Sequence, residues 1–233
     1  MILGLFKSPV LTLPDGSTVP VRFHANRRAR KYIVRVGNSD DGVVVDLTMP
    51  RSGSKRFALD FATRHVAWIA KEIAKAGERS APWTAGREIL YRGERAVLAV
   101  AEGVVTWANR KARLPSSDAD LRPVLVKALR AEAAQDLRER VRHWSGLLGL
   151  VPSRVAVRDQ RTLWGSCSGR KTISLNWRLI MAPEWVADYL VVHELVHLAE
   201  MNHSRRFWDR VAAAFPRWRE AEAWLAANRD ALR

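Results

Sequence analysis

The segment VVHELVHLAEMNHSRRFW, residues 191–208, gathers three of the chain's six histidines into eleven residues: His193, His197 and His203. Four residues apart on a helix, His193 and His197 lean over one patch a single turn apart, which is the geometry two ligands of one tetrahedral ion require. Glu194, about 100° further round, can reach a water on that ion without becoming a ligand. The stretch fits H-E-x-x-H at every fixed position, the pattern in which two imidazoles grip zinc and the glutamate serves as general base.

The third histidine needs a different argument. On a continued helix His203 would lie about 15 Å beyond His193 and roughly 80° off its face, too far to share an ion. The chain must therefore reverse between His197 and His203. Asn202 tolerates the left-handed conformation and is the expected helix-ending residue, and Ser204 is the expected cap of a new helix. A carboxylate, Glu220 or Glu222, is the competing third ligand. His203 is preferred because it is close in sequence and sits at the forced reversal. The expected site is thus Zn2+ on His193, His197 and His203, with Glu194 as the catalytic base.

Neighbouring residues have weaker claims. Glu200 shares a face with His197 and is either a hydrogen-bond partner for it or a solvated helix-end carboxylate. Tyr189 and Arg161 are candidate oxyanion stabilisers. Cys167 is expected to be buried rather than ligating, and Trp164, Trp177, Trp185 and Trp208 are read as core.

The elements that must position these groups follow from pattern. APEWVADYLVVHELVHLAEM, with Pro183 at its start and apolar residues nearly all round, reads as a buried central helix. VPSRVAVRDQ suggests a strand, and RTLWGSCSGRKTISLNWRL two more joined at Ser168-Gly169, with Ile173, Leu175 and Trp177 on one face. A long amphipathic helix is expected from Asp118 or Asp120 to Gly149, with Pro123 in its first turn. After Ser204, RRFWDRVAAAF and, beyond Pro216, REAEAWLAANRDAL read as two further helices. Upstream, the first fifty residues look like antiparallel sheet. FATRHVAWIAKEIAKA reads as a helix capped by Asp60 and stopped by Gly77, and residues 88–114 as three short strands. The expected class is α+β: a small β-rich module with one helix over 1–115, then a zincin-like domain over 116–233 with the H-E-x-x-H helix packed on a small sheet.

Composition narrows the setting. An apolar content of 48% with ten tryptophans is enough to bury a core. The lack of a secretory signal, of an apolar run long enough to span a bilayer and of a second cysteine makes a soluble cytoplasmic protein the expectation. The net charge of +15 would attract polyanions. Its densest run, Arg22 to Val36, reads first as a solvated hairpin because no aromatic stacking platform accompanies it in sequence. A nucleic-acid patch is the alternative.

Arg161, the WGSC of 164–167, the LNW of 175–177, HELVH of 193–197 and NHSRRFW of 202–208 together resemble the hallmark block of the YgjP-like metallopeptidase domain family, relatives of the SprT and WLM zinc peptidases. The arginine-rich strand pair and the FATRHVAWI helix resemble it too, so the resemblance covers nearly the whole chain. It implies zinc on His193, His197 and His203, Glu194 as general base and a protein or peptide substrate. Metzincin peptidases share the ligand spacing but place Gly three after the second His, where this chain has Glu200. Two other classes fit the residues alone: a metal-dependent nucleotide or phosphoanhydride hydrolase, and a non-catalytic nucleic-acid-binding protein with a structural zinc. Oligomeric state is not legible.

Overall fold

The structure, a computed structural model, describes residues 9–39, 42–115, 120–160 and 162–232. It divides into two compact units, Met1–Ala81 and Pro82–Arg233.

The N-terminal unit is a four-stranded sheet with two helices. Strands β1 (Val10–Thr12), β2 (Thr18–Asn26), β3 (Ile33–Ser39) and β4 (Gly42–Pro50) lie in the order β1-β2-β4-β3. The sheet is mixed rather than antiparallel, since β2 and β4 run parallel. The reason is that the segment after β2 crosses the end of β4, so that β4 inserts between β2 and β3. Inward residues Val19, Val21, Val45, Leu47 and Met49 pack on Ala58, Ala62 and Ile69 of helices α1 (Lys55–Arg64) and α2 (Val66–Ser80). Two helices replace the single expected one. Ser54, not Asp60, caps the first, its Oγ accepting from the Phe57 amide at 3.5 Å. Asp60 instead lies inside α1, paired with Arg64 at 3.1 Å.

In the C-terminal unit residues 88–113 form five strands rather than three. Strands β5 (Glu88–Tyr91) and β6 (Glu94–Val97) make a hairpin, and β7 (Ala99–Ala101), β8 (Val104–Trp107) and β9 (Arg110–Arg113) a three-stranded meander. The β5–β6 turn places Arg92 at φ 50° and Gly93 at φ 85°, the paired positive values of a tight hairpin turn. Its tip donates two backbone hydrogen bonds, Arg92 to the Ile180 carbonyl at 3.1 Å and Gly93 to that of Met181 at 2.9 Å. A Cβ on Gly93 would meet Pro183 at 2.4 Å, so glycine is needed for this approach. Ile89, Tyr91, Leu98, Val105 and Trp107 share one apolar core with Leu125, Leu129, Val191 and Val192. That shared core puts the division between units at 81/82, whereas the sequence reading put it at 115/116.

Helix α3 (Arg122–Leu148) matches the long amphipathic pattern, with Pro123 in its first turn and Gly149 left-handed at its end. Asp120 Oδ1 accepts from the amides of Arg122 at 3.0 Å and Trp83 at 2.8 Å, tying the helix start to the segment before β5. A mixed sheet follows, in the order β10-β12-β11, from β10 (Arg154–Arg158), β11 (Gly165–Cys167) and β12 (Thr172–Asn176). Trp177 has left the strand for a short 3-10 turn, Trp177–Met181. Both faces of β12 are buried, and its polar Asn176 is satisfied by the Gln160 and Leu163 carbonyls at 2.8 and 3.0 Å.

Helix α4 (Glu184–Val196) begins after Pro183 and is apolar nearly all round, as its place requires: it packs on α3, on β11 and β12, and on α5 (Arg205–Ala214) and α6 (Trp218–Ala227). No described helix is long and apolar enough to cross a membrane.

Candidate metal centre

His193 and Glu194 lie in the last turn of α4, and His197 is its C-cap. Past Val196 the helix tightens: Leu198 donates to the Leu195 carbonyl at 2.9 Å and Ala199 to that of Val196 at 3.0 Å. The helix therefore ends five residues earlier than expected. Asn202 is not left-handed. Its Oδ1 instead accepts from the Ser204 amide at 3.2 Å, a local side-chain turn. Ser204 caps α5 as expected, accepting from the Phe207 amide at 3.5 Å. His203, the residue before that cap, is thereby swung back to α4.

The reversal brings the three imidazoles together. One ligand atom from each of His193, His197 and His203 lies within 4.8 Å of the others, and no other such group occurs among the described residues. His203 Nε2 and His193 Nε2 are 3.1 Å apart. For nitrogens about 2.05 Å from a tetrahedral ion the expected edge is about 3.3 Å. The cluster rests on Phe207 of α5, fully buried, whose ring centroid is 4.9, 4.5 and 4.7 Å from those of His193, His197 and His203. Trp208 stacks on His203 at 5.6 Å, and Trp218 on Trp208 at 4.5 Å, so the expectation of Trp208 as core holds with one addition: it also buttresses His203.

Hydrogen bonds on the far side of two rings leave their Nε2 lone pairs free. His197 Nδ1 lies 3.1 Å from the Glu200 carbonyl, which can only accept, so Nδ1 carries the proton. Glu200 thus acts through its backbone, while its carboxylate faces Arg210 at 3.9 Å. His193 Nδ1 lies 3.2 Å from the Tyr189 hydroxyl, which donates to Glu222 Oε1 at 3.0 Å. With its one proton given to Glu222, the hydroxyl accepts from His193 Nδ1–H. The Tyr189 hydroxyl is therefore held between His193 and Glu222. Glu222 stands behind it and outside the histidine cluster, and Glu220 pairs with Arg217 at 2.8 Å. Arg161, the other oxyanion candidate, lies outside the described residues.

Burial pushes His193 down to about 3, with His197 and His203 adding to the effect, and burial likewise lowers His197. Neutral imidazoles are the form that binds a metal. Glu194 is 4% exposed, and its Oε2 has no hydrogen-bond partner among the described residues. Burial raises its carboxyl to about 8. Oε1 lies against Gly165 of β11, where a Cβ would come within 2.5 Å. Cys167, two residues along, is half-buried. Burial and then the Glu194 charge push its thiol up, away from the thiolate a metal would need. The donor set and the orphaned carboxylate fit a divalent ion of the zinc type.

The sequence model of the YgjP-like metallopeptidase domain matches residues 30–228. The chain belongs to this family. It is accordingly a hydrolase of the metallopeptidase class. Comparison with curated proteins returned no match. Among solved structures, the metallopeptidase zymogen of Pyrococcus abyssi abylysin is similar, with 27% identity and a TM-score of 0.37 over 39% of this chain and 92% of that one. The zymogen of Methanocaldococcus jannaschii jannalysin has 21% identity and a TM-score of 0.36 over 39% of this chain and 94% of that one. Scores this low give the structural likeness no weight, and membership in the YgjP-like family rests on the sequence match.

Three contributors escaped the sequence reading. Gly165 had a signal, a glycine inside WGSC. Phe207 had a fainter one, four residues after His203. The pairing of Glu222 with Tyr189 had none, because α6 and α4 meet only in the fold.

Proposed function

We propose that the chain is a zinc-dependent, zincin-like peptidase in which His193, His197 and His203 hold the ion and Glu194 is the general base of peptide-bond hydrolysis. One observation carries the reading: three imidazoles converge beside a buried carboxylate whose Oε2 has no partner among the described residues. When bound, the ion supplies Lewis acidity toward water and the scissile carbonyl.

The chain supplies the rest. Tyr189 and the Glu200 carbonyl fix two rings so that their Nε2 atoms face one point. The apolar walls that raise Glu194 make Oε2 a strong proton acceptor. It takes the proton of the attacking water and returns it to the leaving amine nitrogen. Strand β11 is at the edge of its sheet and carries Gly165 against Glu194, so its free edge is suited to pair with the backbone of an extended peptide.

Glu194→Gln keeps the shape and removes the base. Elemental analysis should find the parent's metal content, while hydrolysis of a protein or peptide substrate falls by a factor of about 10² or more. Undiminished turnover, or a parent protein that binds no stoichiometric metal, would refute the assignment.

A further inference from the structure

The N-terminal unit has a strongly basic end of its own. Strands β2 and β4 run parallel and finish in register, Asn26 opposite Pro50, so the segments leaving them start from the same end of the sheet. The first carries Arg27, Arg28, Arg30 and Lys31, all exposed, across the end of β4 to β3. The second carries Arg51, Lys55 and Arg56, also exposed, into α1. Tyr32 fastens the two together, its hydroxyl accepting from the Ser54 amide at 3.1 Å. A Cβ on Gly53 would lie 2.8 Å from that hydroxyl, so the glycine permits the fastening.

None of these cations is in an ion pair among the described residues. Neither Gly16–Ser39 nor Leu47–Leu59 contains an aspartate or glutamate. The acids bounding the second stretch are paired, Asp46 with Arg22 at 2.9 Å and Asp60 with Arg64 at 3.1 Å, the latter at the margin of the surface. An aromatic platform also accompanies the charge, invisible in the linear run because half of it comes from α1. The Tyr32 ring lies 4.8 Å from that of Phe57, a residue 48% exposed with the Arg64 guanidinium 5.7 Å above its ring.

We infer that this end of the N-terminal unit docks single-stranded nucleic acid. The arginines and lysines follow the phosphates, and unstacked bases lie on Phe57 and the neighbouring guanidinium plane. Anionic lipid also takes basic residues beside an exposed ring, and the vesicle competition below distinguishes it.

The test is fluorescence anisotropy of the full chain with labelled oligo-dT over a salt titration, with heparin and phosphatidylserine vesicles as competitors. Arg27→Gln/Arg28→Gln/Arg30→Gln/Lys31→Gln should weaken oligo-dT binding at least tenfold. It should also lessen the slope of log K against log salt by up to about 3, at about 0.7 per lost phosphate contact. Arg51→Gln/Lys55→Gln/Arg56→Gln should act in the same direction, a check that does not depend on one variant folding. Phe57→Leu should weaken oligo-dT by about tenfold and leave heparin unchanged. Metal content and peptide hydrolysis should stay at parental values throughout. Unaltered oligo-dT binding in both charge variants, an equal effect of Phe57→Leu on heparin, or preference for vesicles over oligo-dT overturns the inference.

Discussion

Gly165 and Glu194 are in contact across the β11–α4 boundary, and the fit leaves no room for a side chain: a Cβ at residue 165 would sit 2.5 Å from Glu194 Oε1 and 2.8 Å from its Cγ and Cδ. The carboxylate has backbone against one side, and its Oε2 is buried with no hydrogen-bond partner among the described residues.

Gly165→Ala should therefore displace the carboxylate rather than unfold the chain, because the backbone there is one an alanine can adopt. A displacement of about 1 Å at a catalytic group is enough to cost about 10²-fold in rate. Metal content and thermal midpoint should stay near parental values while kcat falls. An equally active Gly165→Ala protein would show that Glu194 is not the base.

Acid and base stability of the metal-free protein should be set by opposing groups. His193 is lowered from 6.5 to about 3, so the unfolded chain binds a proton that the folded one does not, and stability is lost as pH falls from 6.5 toward 3. Glu194 is raised from 4.5 to about 8, so stability is lost as pH rises through that window. Between 4.5 and 6.5 the two slopes, each at most about 1.4 kcal/mol per pH unit, oppose each other, and the lowering of His197 adds to the His193 side. Denaturant titrations of metal-free protein should show no decline with rising pH there and a decline above 6.5. In Glu194→Gln the decline between pH 6.5 and 8 should be absent.

Tyr189→Phe should weaken the metal without touching it. The substitution removes the acceptor of His193 Nδ1–H, and the cost should be about 10–100-fold in metal affinity, read by chelator competition. Glu222→Gln retains an acceptor for the tyrosine and should cost less than Glu222→Ala. Parental affinity in Tyr189→Phe would mean that the hydroxyl is only a packing group.

Phe207→Ala should lower both stability and metal affinity. The ring is fully buried and touches all three imidazoles, so its loss leaves a cavity costing about 3–5 kcal/mol and frees the rings to rotate. Phe207→Leu, which fills most of that volume, should recover most of the loss in a denaturation measurement and in chelator competition.

Much of this arrangement was legible in the chain because the periodicities are strong. Helix α3 ran between Asp120 and Gly149 as its pattern requires, and Ser204 capped α5. The misreadings share a cause, competition between equivalent local signals. Asp60 and Ser54 are both good caps, and packing of Ala58 and Ala62 against the sheet selects the earlier one. Asn202 can end a helix by backbone or by side chain. Here the tightening after Val196 had already ended it, and the side chain was left to shape the turn. The parallel pairing of β2 with β4 is a long-range choice that no alternation of residues encodes.

By itself the sequence determined which atoms could meet a metal: a four-residue spacing on a helix places two imidazoles on one face whatever surrounds them. It also located the chain reversal that His203 requires. Tertiary structure decided what those atoms are. The contact of β11 with α4 buries Glu194 and raises its carboxyl, and the packing of α5 and α6 on α4 brings Phe207, Glu222 and His203 to the cluster. Spacing within one element is local geometry, whereas dielectric, hydrogen-bond partner and proton affinity depend on elements distant in the chain.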